Sequence, residues 1–124
     1  LVLYRGAIDH ILYQAFTETV DAYADQCQAE FTTVQYSWPG ETKRRDGSIA
    51  GTNRDISDTG ELAESQQPPE YLTPLMAEIA WTANHALITH EGDGDGRPAR
   101  PWTQTALQNL DIIDTFAHEA RKLL

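Results

Sequence analysis

At 124 residues the chain suits one domain built on one core. Apolar residues make up 40% of it, which excludes wholesale disorder, and no run approaches the roughly 18 apolar residues of a membrane span. A net charge of -10 opposes the phosphate contacts of ordinary nucleic-acid binding, but is compatible with a negative wall that DNA passes without sticking. The first residues lack the apolar run and cleavage site of a signal peptide, and Leu1 predicts a native start further upstream. With Cys27 as the one cysteine, no internal disulfide can form, which fits assembly in a reducing cytoplasm.

From about Ala7 to Phe31, apolar residues recur at Ile8, Ile11, Leu12, Ala15, Phe16, Val20, Tyr23, Ala24, Cys27 and Phe31. That three-and-four spacing predicts a long amphipathic helix, with Cys27 as a small core residue rather than a reactive thiol. Thr32 to Trp38 is rich in β-branched and aromatic residues and predicts a short strand or an extended exit, ended by Pro39-Gly40. Between Glu41 and Arg54, Asp46-Gly47 offers a hairpin turn, although weak flanking strands leave a flexible arm equally open.

Next comes Asp58-Thr59-Gly60-Glu61-Leu62, where Asp58 and Glu61 have the spacing of a capping box. The helix it opens must be short, because Gln66-Gln67-Pro68-Pro69 stops it. Alternation over Leu75 to Thr82 predicts an extended segment. A turn at Asn84-His85 would pair it with a second extended or mixed segment, Ala86 to His90. Alternating glycines make Glu91 to Gly96 a loop. Pro98 and Pro101 then stiffen the approach to a helix from about Trp102 to Leu123, with Pro101 placed in its first turn. Its apolar face would carry Trp102, Ala106, Leu110, Ile113, Phe116, Ala117, Ala120 and Leu124, and Arg121 and Lys122 would complement the dipole at its end. The pattern predicts an α+β fold: a small antiparallel sheet packed against long N-terminal and C-terminal helices, in a single domain with loops or arms at 41–53 and 91–100.

Candidate chemistry is sparse. Glu91, Asp93, Asp95 and Gly96 match part of a calcium loop, but the position of its bidentate glutamate is Trp102. His10, His85, His90 and His118 lack zinc-like spacing. His90-Glu91 could form an acid–base pair, with no nucleophile recognisable beside it. A small metal-binding or hydrolytic protein using His90, Glu91, Asp93 and Asp95 is therefore the reading from a different class. No catalytic residue, metal or cofactor is expected on the main reading. Lys43, Arg44, Arg45 and Arg54 form the basic concentration, and 55–96 has no Lys or Arg. These cations are either a solvated loop or an arm that docks on the acidic face of a neighbouring subunit at Glu61 and Glu64.

Asp58-Thr59-Gly60-Glu61-Leu62 followed by Ser65 resembles the Asp-Thr-Gly-x-Leu-x-x-Ser signature of the tailed-phage head–tail joining, or tail-completion, family. Downstream, Ala83 to Gly92 is similar to that family's strand, aromatic-Ala pair and His before a Gly, with His85-Ala86 where Tyr-Ala is usual. Arg100-Pro101-Trp102 resembles its Arg-Pro-aromatic step into the last helix. The resemblance covers roughly 54–110. It implies an α+β structural subunit without catalysis, forming a homo-oligomeric ring, hexameric as a first expectation. That ring would sit in the virion neck between portal or adaptor proteins and the tail terminator or tail tube, and DNA would pass through it. Asp58, Thr59, Gly60, Leu62, Ser65, His90, Gly92, Arg100, Pro101 and Trp102 are the motif positions, with structural roles. A tail terminator capping the tail tube is the nearest alternative.

Overall fold

The computed structural model describes residues 4–33, 36–37, 40–43, 45–51, 53–54, 60–94 and 98–124. It is α+β, with a long N-terminal helix, C-terminal helices and small antiparallel strand pairs. Helix α1 spans Arg5–Glu30, uninterrupted by proline, and buries Ala15, Thr19, Val20, Ala24, Cys27 and Glu30. The buried Thr19 hydroxyl is satisfied by the Ala15 carbonyl at 2.8 Å. At the C-terminal end, Thr32 and Thr33 both donate their hydroxyls to the Ala29 carbonyl at 3.1 Å. Side chains that bond the last turn compete with its continuation, and the helix stops there.

Four short strands follow: β1 (Tyr36–Ser37), β2 (Thr42–Lys43), β3 (Ile49–Ala50) and β4 (Asn53–Arg54). β2 pairs with β3 and β1 with β4, both antiparallel and nested about one turn. Of the two options open for 41–53, the hairpin is the one adopted. Gly47 takes φ +87°, which suits a residue without Cβ, and the Asp46 carboxylate accepts from Ser48 N at 2.9 Å and Ser48 Oγ at 2.6 Å.

Helix α2 (Glu61–Glu64) has Gly60, at φ +84°, in its cap position. Glu61 is thus the first helical residue, and the capping box expected across Asp58 and Glu61 falls partly outside the described residues. Asp58 and Thr59 lie outside the described residues, as do Trp38, Arg44 and Asp95. Strands β5 (Glu70–Thr73) and β6 (Met76–Glu78) form a hairpin around Pro74-Leu75, with a register shift between Tyr71 and Thr73. An isolated bridge from Gln66 to Trp81 extends this pairing. The expected partner of the 75–82 segment was the stretch after it, and the observed partner is the stretch before it. Two consecutive prolines at 68–69 end α2 and leave the chain extended, so β5 lies ready to pair.

Ala86–Glu91 is helix α3, not a strand. Only two of its six residues, Ile88 and Thr89, are β-branched, and its first carbonyl neighbours are engaged at once: Thr89 N donates to His85 O at 3.0 Å. Gly92 closes it at φ +74°. The C-terminal helix is two helices, α4 (Trp102–Asn109) and α5 (Ile112–Lys122). Leu110 turns extended, and Asp111 caps α5 by accepting from Asp114 N at 2.9 Å. A capping residue inside an apolar pattern ends one helix and starts the next. Pro101 stands just before α4 rather than inside it, its carbonyl accepting from Thr105 N at 3.0 Å.

Both α4 and α5 pack on α1. Cys27, Phe31, Leu62, Trp102 and Ala106 form the central cluster, with Tyr23, Tyr36, Ala63, Trp81, Ala83 and Ala86 around it. Neither expected stripe is covered throughout: Ile8, Ile113 and Leu124 are exposed, and Ile113, expected in the middle of the C-terminal apolar face, is 82% exposed. Arg121 and Lys122 do occupy the last turn of α5.

Candidate functional site

Three stretches far apart in the chain meet at Trp102, and they are the three that carry the family resemblance. Trp102 is 2% exposed. Its ring meets Phe31 at 5.3 Å, Trp81 edge-on at 5.4 Å and His90 edge-on at 4.9 Å. Leu62 of α2 packs into the same cluster. Burying side chains of this size stabilises the fold by roughly 1.5–3 kcal/mol each. The indole N–H groups of Trp81 and Trp102 are buried with no partner among the described residues, a cost of about 1–3 kcal/mol each that the ring packing offsets.

Several of the described motif residues make defined bonds. Ser65 Oγ donates to Leu62 O at 2.7 Å, and Ser65 O accepts from Thr82 N at 3.2 Å, joining α2 to the stretch that follows β6. Gln28 donates to Ala63 O and to Gln66 Oε1, both at 2.9 Å, and Gln66 donates to Ala24 O at 3.1 Å. These bonds clamp α2 against α1. Gly92 N reaches back to Ile88 O at 2.8 Å, and Arg100 N donates to Thr89 O at 3.0 Å, closing the 92–100 excursion against α3.

His90 connects α3 to α4. Nδ1 lies 2.5 Å from Glu91 Oε1, and Nε2 lies 2.6 Å from Thr103 Oγ1. Tyr23 of α1 adds a bond to the same residue, donating its hydroxyl to Thr103 O at 2.9 Å. Thr103 is the group that the sequence reading missed. It stands 13 positions from His90, and the approach of α4 to α3 brings its hydroxyl to the ring. A Thr one residue after the Pro-Trp step was the signal available. Thr103 also lines a cleft of about 170 Å³ with Val20, Tyr23, Ala77, Ile79 and Trp81.

Burial pushes the Cys27 thiol up to about 11, with the neighbouring Tyr23 hydroxyl opposing the rise and the nearby Glu30 adding to it. Tyr23 is also shifted upward, chiefly by burial. Both groups stay protonated at neutral pH, and Cys27 is the inert core residue expected of it. Glu30, 1% exposed, accepts from Gln26 Nε2 and from Asn109 Nδ2, each at 2.8 Å, and so ties α1 to the end of α4.

Of the proposed interface residues, Lys43 and Arg45 are exposed on the β2–β3 hairpin, and Glu61 and Glu64 are exposed on α2. The Arg44 position and the Arg54 side chain lie outside the described residues. Among the described residues no group of three or more His, Cys, Asp or Glu side chains could hold a metal ion, and no helix is long and apolar enough to cross a membrane. No family model, curated protein or solved structure matches the chain.

Proposed function

We propose that this protein is a structural subunit of the neck of a tailed phage, forming a homo-oligomeric ring that joins the portal or adaptor region of the head to the tail and lets DNA pass. The observation that carries the reading is the meeting of the three motif stretches, 60–65, 83–92 and 100–102, at one tryptophan. Residues that recur together as a signature without sharing chemistry are best explained by a shared packing unit. Here Leu62, Trp102 and His90 are such a unit, and Gly60, Ser65, Gly92 and Arg100 set the backbone around it.

Two further features support an assembling subunit. Leu72, Leu75 and Met76 are exposed on the β5–β6 hairpin, at 50–56%. Apolar side chains grouped on a protruding element favour contact with a neighbour. The β2–β3 hairpin presents Lys43 and Arg45, while Glu61 and Glu64 lie on α2. A head-to-tail ring joins two different patches of each subunit, and patches of opposite charge suit that geometry. The net charge of -10 suits a channel that does not grip DNA.

Native mass spectrometry of the purified chain over a range of concentrations tests the proposal. A closed ring, six subunits being the first expectation, would support it. A monomer at every concentration, unchanged by portal, adaptor or tail-terminator proteins, would overturn it. Reversing Lys43, Arg44 and Arg45 to Glu should weaken the ring and leave the monomer folded.

A further inference from the structure

The Glu91–His90–Thr103 chain has an order of atoms with chemical meaning. An ionised carboxylate only accepts hydrogen bonds, so the proton that Glu91 receives is carried on His90 Nδ1. In the neutral ring Nε2 is then an acceptor, and the Thr103 hydroxyl donates to it at 2.6 Å. Carboxylate, imidazole and hydroxyl in this sequence is the arrangement in which the ring takes the proton of an attacking hydroxyl.

Three surrounding features fit that use. The ring is held edge-on against Trp102 and its side chain is 16% exposed, so its orientation is fixed. Thr103 occupies the first turn of the eight-residue α4, where backbone amides lack partners within the helix. Its own N–H makes no hydrogen bond among the described residues, while Trp102 N is taken by Arg100 O and Gln104 N by Pro101 O. An amide there, at the positive end of a helix, suits a developing oxyanion. The cleft of about 170 Å³ lined by Thr103 has apolar walls from Val20, Ala77 and Ile79, with room for a short acyl chain.

We propose that Thr103 is an activated hydroxyl that takes a short acyl group from an activated ester bound in this cleft. Thr103 Oγ1 forms a bond to the acyl carbon as its proton passes to His90 Nε2. The bond from that carbon to the leaving oxygen breaks, and the imidazolium returns the proton to the departing alkoxide. Glu91 stays ionised and holds the ring. Water, activated by the same Nε2, then cleaves the acyl–Thr103 ester to a carboxylic acid and restores the hydroxyl. This activity is separate from ring formation, and either a monomer or a ring would carry it.

The test is incubation of the full chain with p-nitrophenyl acetate and p-nitrophenyl butyrate, following nitrophenolate release and mapping the acyl group by peptide mass spectrometry. The expected result is acylation at Thr103, absent in Thr103→Val, retained in Thr103→Ser, and slowed about 10²-fold or more in His90→Gln. Acyl groups found only on lysines or tyrosines of the wild-type chain would overturn the proposal. So would equal labelling of Thr103 in His90→Gln, with near-ultraviolet circular dichroism verifying that the variant keeps its tryptophan packing.

Discussion

The region around Trp102 and the paired hairpins are built on opposite terms. At Trp102, segments from α1, α2, α3 and α4 give up solvent for one another, and even a carboxylate, Glu30, is enclosed and bonded. In the β5–β6 hairpin all four residues of β5 are exposed, with Tyr71 meeting Phe16 of α1 edge-on at 6.2 Å. Local pairing shapes the hairpins, whereas long-range packing shapes the tryptophan cluster. Side chains in the first region answer to the fold. Those in the second are largely left to solvent.

Removing the centre of the cluster should have the largest effect. Trp102→Ala is expected to cost about 3–5 kcal/mol, read as a lower urea midpoint. Alkaline titration probes the same region by charge. Cys27 has a folded value of about 11 against an ordinary 9.0, so the unfolded chain loses that proton first. The stability it contributes is complete below pH 9.0 and is lost as pH rises through about 11, with Tyr23 acting in the same direction. Urea melts across that range should fall in midpoint, and Cys27→Ala should flatten the part of the decline due to the thiol.

Asn109→Leu withdraws one donor from the buried Glu30 carboxylate and should cost about 1–3 kcal/mol by the same measurement. Gly60→Ala forces a Cβ into a backbone at φ +84° and should cost about 1–2 kcal/mol, although the nearest side-chain atom, Glu64 Oε1, is 3.7 Å away and does not clash. Smallest of all, Leu72→Ser and Met76→Ser should change the stability of the fold by no more than about 0.5 kcal/mol. If the neck proposal holds, that same pair should reduce ring formation in native mass spectrometry. A large loss of monomer stability would instead place the hairpin with the core and erase the contrast.

The two regions also differ in how far the sequence discloses them. Helix α1 was legible because ten apolar positions keep a helical period without a breaker, and Cys27 and Trp102 were legible as core for the same reason. The partner of β6 was not, because alternation marks a strand but does not say which neighbour it pairs with. Ala86–Glu91 was misread because six residues are too few for period to separate helix from strand. The division between α4 and α5 was hidden by a continuous apolar stripe, and Asp111 three residues before Asp114 was the overlooked mark of a new start. Of the His90 site, the Glu91 half followed from adjacency. The Thr103 half depended on a tertiary contact between α3 and α4, which local pattern does not encode.

The break at Leu110–Asp111 also divides the C-terminus into two parts of unequal tenacity. Helix α4 holds Trp102 and Ala106 at the centre of the molecule, but α5 contains no fully buried residue and begins with its own cap. Cooperative opening follows buried contacts, so α5 can detach from α1 as a unit while the tryptophan cluster stays closed. Its amide protons would then exchange with deuterium well before those of α4. The chain's last turns would behave as a latch on the first helix, and not as an extension of the core.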